Sequence, residues 1–399
     1  MNPALLSLAI DGNEANTQRR VGSNVYAYQM LLGLERLTRS LPSVKITVLL
    51  GNPPSADLPP ARSNWCYRVF GPSHWWTQWA LPIHLYLHAH DYQVFYTPSH
   101  YAPRLSSVPY ISSVMDLAFL HFPDQFRQSD LWQLRHWTNY SVKKASRVMA
   151  ISQFTRQDII QTYHKPADQV VVAYPGLPSN FNYAPLDWES SKRLFKKWKI
   201  KQPFFLYLGT LQPRKNLLRL VAAFERLSRK LATQNSHQRS GKTKFQPSEP
   251  QLVLAGKVGW LAEPLLKRIA KSPFKQRIIL TDYVDELEKN CLLKNCLALV
   301  LVGLYEGFGI PVLEAMALGS PVVVTNNSSL PEVIGEAGWS VNPTSVAAIS
   351  ESLWRVSCLT LKQKAQLRRQ MRLQVKKFTY LKSAEIVLNT AQDVANKKK

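Results

Sequence analysis

The stretch 297-LALVLVGLYEGFGIPVLEAMALGSPVVVT-325 decides the fold. It opens on an apolar run, 297-LALVLVG-303, and closes on another, 321-PVVVT-325, with a glycine-rich turn and a helical stretch between them. Short aliphatic and β-branched runs of this kind read as buried strands. Pro311 suits the first position of a helix running to about Leu318, because its missing N–H costs nothing there. Gly319 then stands where helices commonly stop. Strand, turn, helix, strand is the unit from which parallel sheets covered on both faces are built.

The same unit recurs outward in both directions. Upstream, 5-LLSLAI-10, 45-KITVLL-50, 93-QVFYTP-98, 108-VPYISSV-114 and 147-RVMAIS-152 read as strands, and 24–37, 129–144 and 153–163 as helices, the last capped by Ser152. The pattern restarts after the basic segment 192-KRLFKKWKIK-201. Strand 204-FFLYLG-209 leads through TLQPRKN into a helix whose apolar stripe is Leu217, Leu220, Val221, Phe224, Leu227 and Leu231, and 251–256 and 277–280 read as further strands. The chain is therefore α/β, with two Rossmann-like, doubly wound parallel-sheet domains. The first covers 1–180, 181–200 is a linker, and the second covers 201–377. The polar stretch 233-TQNSHQRSGKTKFQPSEP-250 reads as a surface loop.

Composition narrows the function. Of 399 residues, 45% are hydrophobic and 19% charged, as a globular protein with a sizeable core requires. The formal charge is +24, from 50 Lys and Arg against 26 Asp and Glu, which points to anionic partners. Nucleic acid, acidic lipid and phosphorylated small molecules all fit that charge. No zinc spacing, aromatic RNP pattern or helix-turn-helix signal supports nucleic acid, and it is not expected as a partner. The basic runs 192–201, 362–377 and 397–399 are either solvated faces or attract an acidic membrane surface. The four cysteines are scattered and read as reduced core thiols, and the start has no basic n-region, so a cytoplasmic protein is expected.

The turn poses a question of charge. Gly307 and Gly309 feed a helix N-terminus, whose N–H groups and dipole attract phosphate, yet Glu306 and Glu314 flank it. The conflict resolves if the ligand carries hydroxyls as well as phosphates, since an ionised glutamate accepts two hydrogen bonds from a vicinal diol. A nucleotide sugar has that layout: ribose, diphosphate, hexose. The turn 209-GTLQPRKN-216 after another strand adds Arg214 and Lys215 for the phosphates, and Asn216 as a cap for the next helix.

EGFGIPVLEAMA with its E-x7-E spacing, GTLQPRKN and SSLPEVIGEAG resemble the donor-binding half of retaining glycosyltransferase family 4. IDGNEAN…RVGSNVYAY, VFYTPSHYAP, MDLAFLHFP, MAISQFTRQDI and VVVAYPGL follow the family's order in the first half. The resemblance implies the GT-B architecture, two such domains facing a central cleft. It also implies that 378-FTYLKSAEIVLNTAQDV-394, within 378–399, is the helix crossing back to the first domain.

The implied roles follow residue by residue. Glu306 lies near the donor hexose and Glu314 near the ribose. Lys215 and the amides of Gly307, Phe308, Gly309 and Ile310 contact the diphosphate, and Gly22 approaches it from the first domain. The chain departs from the family at three places. Thr210 stands where many members have Arg, which leaves more neutralisation to Arg214. Met115 precedes Asp116 where many have His, so His100 or Asp116 takes the acceptor side. Val302-Gly303 replaces the common Pro-Ser.

The PRKN run is most similar to mannosyl- and rhamnosyl-type members building bacterial surface polysaccharides. GDP-mannose is thus implied as donor, with a glycan or lipid-linked glycan at the cytoplasmic membrane face as acceptor. No D-x-D motif is present, and neither a metal nor a cofactor is expected. Two other readings are a silent nucleotide-sugar-binding relative and a basic nucleic-acid-binding protein. Trp75, Trp76 and Trp79 read as packed within a helix, with an acceptor- or lipid-facing patch as the alternative.

Overall fold

The structure is a computed structural model describing residues 6–179, 181, 183, 187–237 and 249–397. The chain divides into two compact units, Met1–Ser179 with Phe378–Lys399, and Asn180–Lys377.

The first unit is built on β1 (Leu6–Asp11), α1 (Ser23–Thr38), β2 (Val44–Leu50), β3 (Trp65–Val69), α2 (Leu81–Leu87), β4 (Val94–Thr97), β5 (Tyr110–Val114), α3 (Ala118–His121), α4 (Gln128–Lys144), β6 (Arg147–Ala150), α5 (Gln153–Tyr163) and β7 (Val170–Val172). Its seven strands are parallel, in the order β3-β2-β1-β4-β5-β6-β7. Strands such as Val94–Thr97 and Tyr110–Val114 are buried on both faces, as central strands of a parallel sheet are, the second with Ser112 and Ser113 inside it. Ser152 caps α5, its Oγ accepting from the Thr155 amide at 3.0 Å.

The second unit opens with α6 (Trp188–Trp198), inside the stretch read as a linker; its Lys- and Arg-rich sequence is a helix capped by Asp187. There follow β8 (Phe204–Leu208), α7 (Leu217–His237), β9 (Gln251–Ala255), α8 (Glu263–Ala270), β10 (Ile278–Asp282), α9 (Glu286–Asn295), β11 (Ala298–Leu301), α10 (Ile310–Ala317), β12 (Val322–Thr325), α11 (Leu330–Ile334), β13 (Trp339–Val341), α12 (Val346–Ser357) and α13 (Leu361–Val375). The six strands are parallel, in the order β10-β9-β8-β11-β12-β13. Of the stretch read as a polar surface loop, the part up to His237 is helical, continuing α7, and 238–248 lies outside the described residues.

The last helix, α14 (Tyr380–Asn396), belongs to the first unit. It packs on α1, where the backbone of Tyr380 and the methyl of Ala384 lie against Gly33, and Ser383 Oγ bonds the Tyr174 carbonyl. Its buried face of Tyr380, Ala384, Val387, Leu388, Ala391 and Val394 supplies the stabilisation, at roughly 1.5–3 kcal/mol for each large side chain.

Each sheet has one place where strand order reverses, and ligands bind at such switch points, beyond the carboxyl ends of the strands. In the first unit it lies between β1 and β4, and in the second between β8 and β11. The loops after β8 and β11 carry Arg214, Lys215 and Glu306. The loops after β1 and β4 carry Gly22 and His100.

Candidate active site

In the second unit the two switch-point loops are laced together by side chains. Arg214 Nη1 donates to the Tyr305 carbonyl at 2.7 Å, and the Leu304 amide donates to the Arg214 carbonyl at 2.9 Å. Asn216, with φ of 60°, is not a side-chain cap for α7. Its Nδ2 donates to the carbonyls of Val302 and Pro343 at 2.8 and 2.7 Å, and its Oδ1 accepts from Arg219. That buried amide welds the loop after β8 to the end of β11, which fixes where Lys215 stands.

Lys215 Nζ lies 2.6 Å from Glu306 Oε1, with the two side chains 17% and 13% exposed. At that distance the two groups form a charge-assisted hydrogen bond, and each holds the other's direction. An ammonium has three donors, so two remain for phosphate oxygens, and one carboxylate oxygen remains for a hydroxyl. Glu306 is held from the backbone too: its carbonyl accepts from Ser329 Oγ at 2.8 Å. Tyr305 and Phe308 are buried on either side of it and anchor the turn.

Helix α10 begins one residue earlier than the proline rule indicated. Gly309 is its cap and Pro311 its second residue, so Glu314 is the fifth residue of the helix, in the second turn. Gly309 has φ of 98°, and a Cβ there would lie 2.4 Å from Leu330 Cδ2, so both conformation and space demand glycine. The helix ends on Gly319 in the left-handed region, with the Ser320 amide reaching back to the Ala315 carbonyl.

Glu314 is 4% exposed, and Lys289 of α9 sits 2.6 Å from its Oε1. Burial pushes the Glu314 carboxyl up, and the Lys289 charge and hydrogen bond offset only part of that rise. For Lys289, burial works downward, but the carboxylates of Glu314 and Glu286 outweigh it and hold the ammonium above its usual range. Sequence reasoning missed Lys289. The one available signal was a lysine a single turn inside a helix whose start, 285-DELE-288, is a capping box. Neither of the two acids beside the turn is left without a cation: Lys215 lies 2.6 Å from Glu306 and Lys289 lies 2.6 Å from Glu314. Lys289 also lies 2.8 Å from Glu286 Oε2, so it serves two carboxylates, whereas Lys215 serves Glu306 alone among the described residues.

Thr210 is exposed, and its carbonyl accepts from the buried Tyr207 hydroxyl at 3.0 Å. The amides of Gly307, Phe308, Gly309 and Ile310 line the entrance to α10.

In the first unit Gly22 is the cap residue of α1, with φ of 54° and ψ of −116°, a conformation suited to glycine. A Cβ there would meet nothing within 4 Å, so conformation rather than crowding requires it. Behind it, Glu14 is held by Asn24 Nδ2 at 2.6 Å, and burial raises its pKa. Asp11, buried at the end of β1, is pushed up to about 6 by burial, against a bond from the Asn13 amide.

His100 stands at the same switch point. Both of its ring nitrogens are buried with no hydrogen-bond partner, and burial draws its pKa down to about 4, against the charge of nearby Asp116. Asp116 Oδ1 accepts from the Ala118 amide at 3.0 Å. The structure thus brings His100 and Asp116 within electrostatic reach of one another, and it gathers Arg214, Lys215 and Glu306 on neighbouring loops of the second unit. Trp76 is buried, whereas Trp75 and Trp79 are each 64% exposed, so packing accounts for only one of the three.

No helix among the described residues is long and apolar enough to cross a membrane. All four cysteines are free.

The model of the family described as Glycosyltransferase Family 4 matches residues 22–181, and that of Glycosyl transferases group 1 matches 190–377. O-antigen chain mannosyltransferase B of Escherichia coli is 29% identical over 65% of this chain and 64% of its own length. Serotype-specific mannosyltransferase WbdA of the same organism is 30% identical over 52% of this chain but only 24% of its own length. The chain thus spans less than two thirds of these relatives. Among solved structures, HepE of Anabaena in complex with UDP and glucose superposes with a TM-score of 0.66 at 16% identity, covering 97% of this chain and 99% of that one. A glycosyltransferase from Rickettsia africae gives 0.68 at 14% identity, over 99% of each chain. These two share the fold. With a family 4 domain followed by a group 1 domain, each a Rossmann-like parallel sheet, the chain belongs to the family 4 type of glycosyltransferases with the GT-B fold.

Proposed function

We propose that this protein transfers a hexose from a nucleoside diphosphate sugar, GDP-mannose, to a glycan or lipid-linked glycan during polysaccharide assembly, with retention of configuration. The observation that carries the reading is the pair of lysine-held glutamates flanking the α10 turn at the switch point of the second unit. The mannosyltransferase names of the relatives support the choice of sugar.

In this reading Glu306 holds the hexose hydroxyls and Glu314 the ribose. Lys215, Arg214 and the 307–310 amides hold the diphosphate, with Thr210 beside it. Cleavage of the bond between the anomeric carbon and the phosphate oxygen sends negative charge onto the departing diphosphate. Fixed donors aimed at that charge are the largest expected contribution to rate, and removing one costs ~10²–10³-fold. The acceptor oxygen bonds the anomeric carbon on the same face, and its proton passes to the leaving phosphate. His100 and Asp116 of the first unit bind the acceptor. Arg214 and Lys215 are the positive charges this reading offers the leaving diphosphate, and it invokes neither a metal nor a cofactor. The enzyme works in the cytoplasm and meets its acceptor at the membrane face.

A thermal-shift panel of GDP-, UDP- and dTDP-sugars tests this. A donor at about 100 times its Kd adds ~2.7 kcal/mol to stability. GDP-mannose should raise the melting temperature and support transfer with α-configured product. A shift without any transfer, to any acceptor glycan, would favour the silent sugar-binding relative.

A further inference from the structure

The first unit carries an apolar surface that no part of the transfer chemistry uses. A short π-helical turn, Trp76–Ala80, runs directly into α2, and the segment 75-WWTQWALPIHLYL-87 contains no Asp, Glu, Lys or Arg. Its inner side, with Trp76, Ala80, Leu81 and Leu85, is buried in the core of the unit. Its outer side is equally apolar: Trp75 and Trp79 are 64% exposed, Ile83 54%, Tyr86 73% and Leu87 66%. Helices on the surface of a globular protein ordinarily turn a polar face outward, and one that is apolar all round is buried in something.

The neighbouring groups identify what that is. Gln78 Nε2 donates to the Tyr140 hydroxyl at 3.2 Å, tying this segment to α4. Lys143 and Lys144 follow Tyr140 by three and four residues, which places them on the same side of α4, and both are exposed. Arg104, close enough to act electrostatically on Tyr140, is exposed as well, and Leu105 after it is 76% exposed. The nearest acid at the far end of α2, Asp91, is taken up by Arg68 at 3.1 Å and His88 at 3.2 Å. Trp and Tyr with aliphatic residues on an outward helical face, bordered by free cations, is the composition of a segment seated at the headgroup level of a bilayer.

We propose that Trp75, Trp79, Ile83, Tyr86 and Leu87, with Arg104, Lys143 and Lys144 beside them, dock this protein onto an anionic lipid surface. The proposal deepens the membrane-face placement in the functional reading, but its test reads lipid binding alone. The full chain is floated with vesicles of phosphatidylcholine, with and without phosphatidylglycerol. Binding is expected to the mixed vesicles, to weaken with salt, and to fall at least ~10-fold in W79S/Y86S and in K143E/K144E. Circular dichroism and thermal melts keep those variants comparable, since every altered side chain is exposed, and GDP-mannose titration in solution should be unchanged in them. Failure of the wild type to bind the mixed vesicles, or variants that bind as the wild type does, would overturn the proposal. So would sedimentation showing a dimer that W79S/Y86S dissolves without any vesicle binding. A wild type that binds the mixed vesicles but not GDP-mannose would instead count against the transferase reading.

Discussion

Lys215 Nζ and Glu306 Oε1 stand 2.6 Å apart across the two switch-point loops of the second unit, although the residues are 91 positions apart in sequence. The pair joins a group assigned to the phosphates to a group assigned to the hexose, so each orients the other. K215A and E306A should each lower kcat/KM by ~10²–10³-fold, about 3–4 kcal/mol. Because either change also frees its partner, the double variant should lose far less than the sum. Additive losses in a double-mutant cycle would show that the contact is incidental.

Lys289 and Glu314 make the matching pair on α9 and α10. In K289M the Glu314 carboxyl stays buried without its cation, so its pKa rises further. A group whose folded pKa is raised stabilises the fold below its free value, and that contribution is lost as pH rises through the folded pKa. K289M should therefore be more destabilised at pH 8 than at pH 5, and E314Q added to it should restore much of the loss. Urea unfolding at the two pH values measures both effects.

His100 has the opposite sign. Its pKa of about 4 lies below the value for a free imidazole, so at pH 5 the unfolded chain binds a proton that the folded chain refuses. Its contribution is complete above about pH 6.5 and declines as pH falls toward 4. Asp11, raised to about 6, works the other way across the same window. H100F should gain on the wild type steadily between pH 7 and pH 4.5, by up to about 3 kcal/mol in urea unfolding. The same variant should raise KM for the acceptor more than for the donor.

Gly309 carries the α10 turn in a backbone conformation that other residues rarely adopt. G309A meets Leu330 as well as the strain of a positive φ, and should cost about 2 kcal/mol, ~5 °C in Tm. Donor affinity should fall with it, because the turn that aims the amides is displaced.

Much of this architecture was legible in the sequence, for physical reasons that vary from element to element. Buried parallel strands such as 204-FFLYLG-209 and 321-PVVVT-325 are unbroken apolar runs between turn residues, and they stand out. Strand β3, 65-WCYRV-69, is an edge strand with an arginine, and β7 and β13 have three residues each, too short to show a period. Glu306 and Glu314 were legible because they share one local run with the glycines. Lys289 was not, because it reaches Glu314 only through the packing of α9 against α10. The fate of the tryptophans was hidden for a related reason. A segment apolar on both sides has no amphipathic period, and only coordinates show which side is covered.

The most direct test of the central claim is isothermal titration of GDP-mannose into the wild-type chain and into E306A, K215A and E314A. Saturable binding by the wild type, weakened at least ~10-fold in each variant whose fold is intact, is the result this account predicts. Equal affinity in all four proteins would contradict it, because the lysine-held glutamates would then not be gripping the donor.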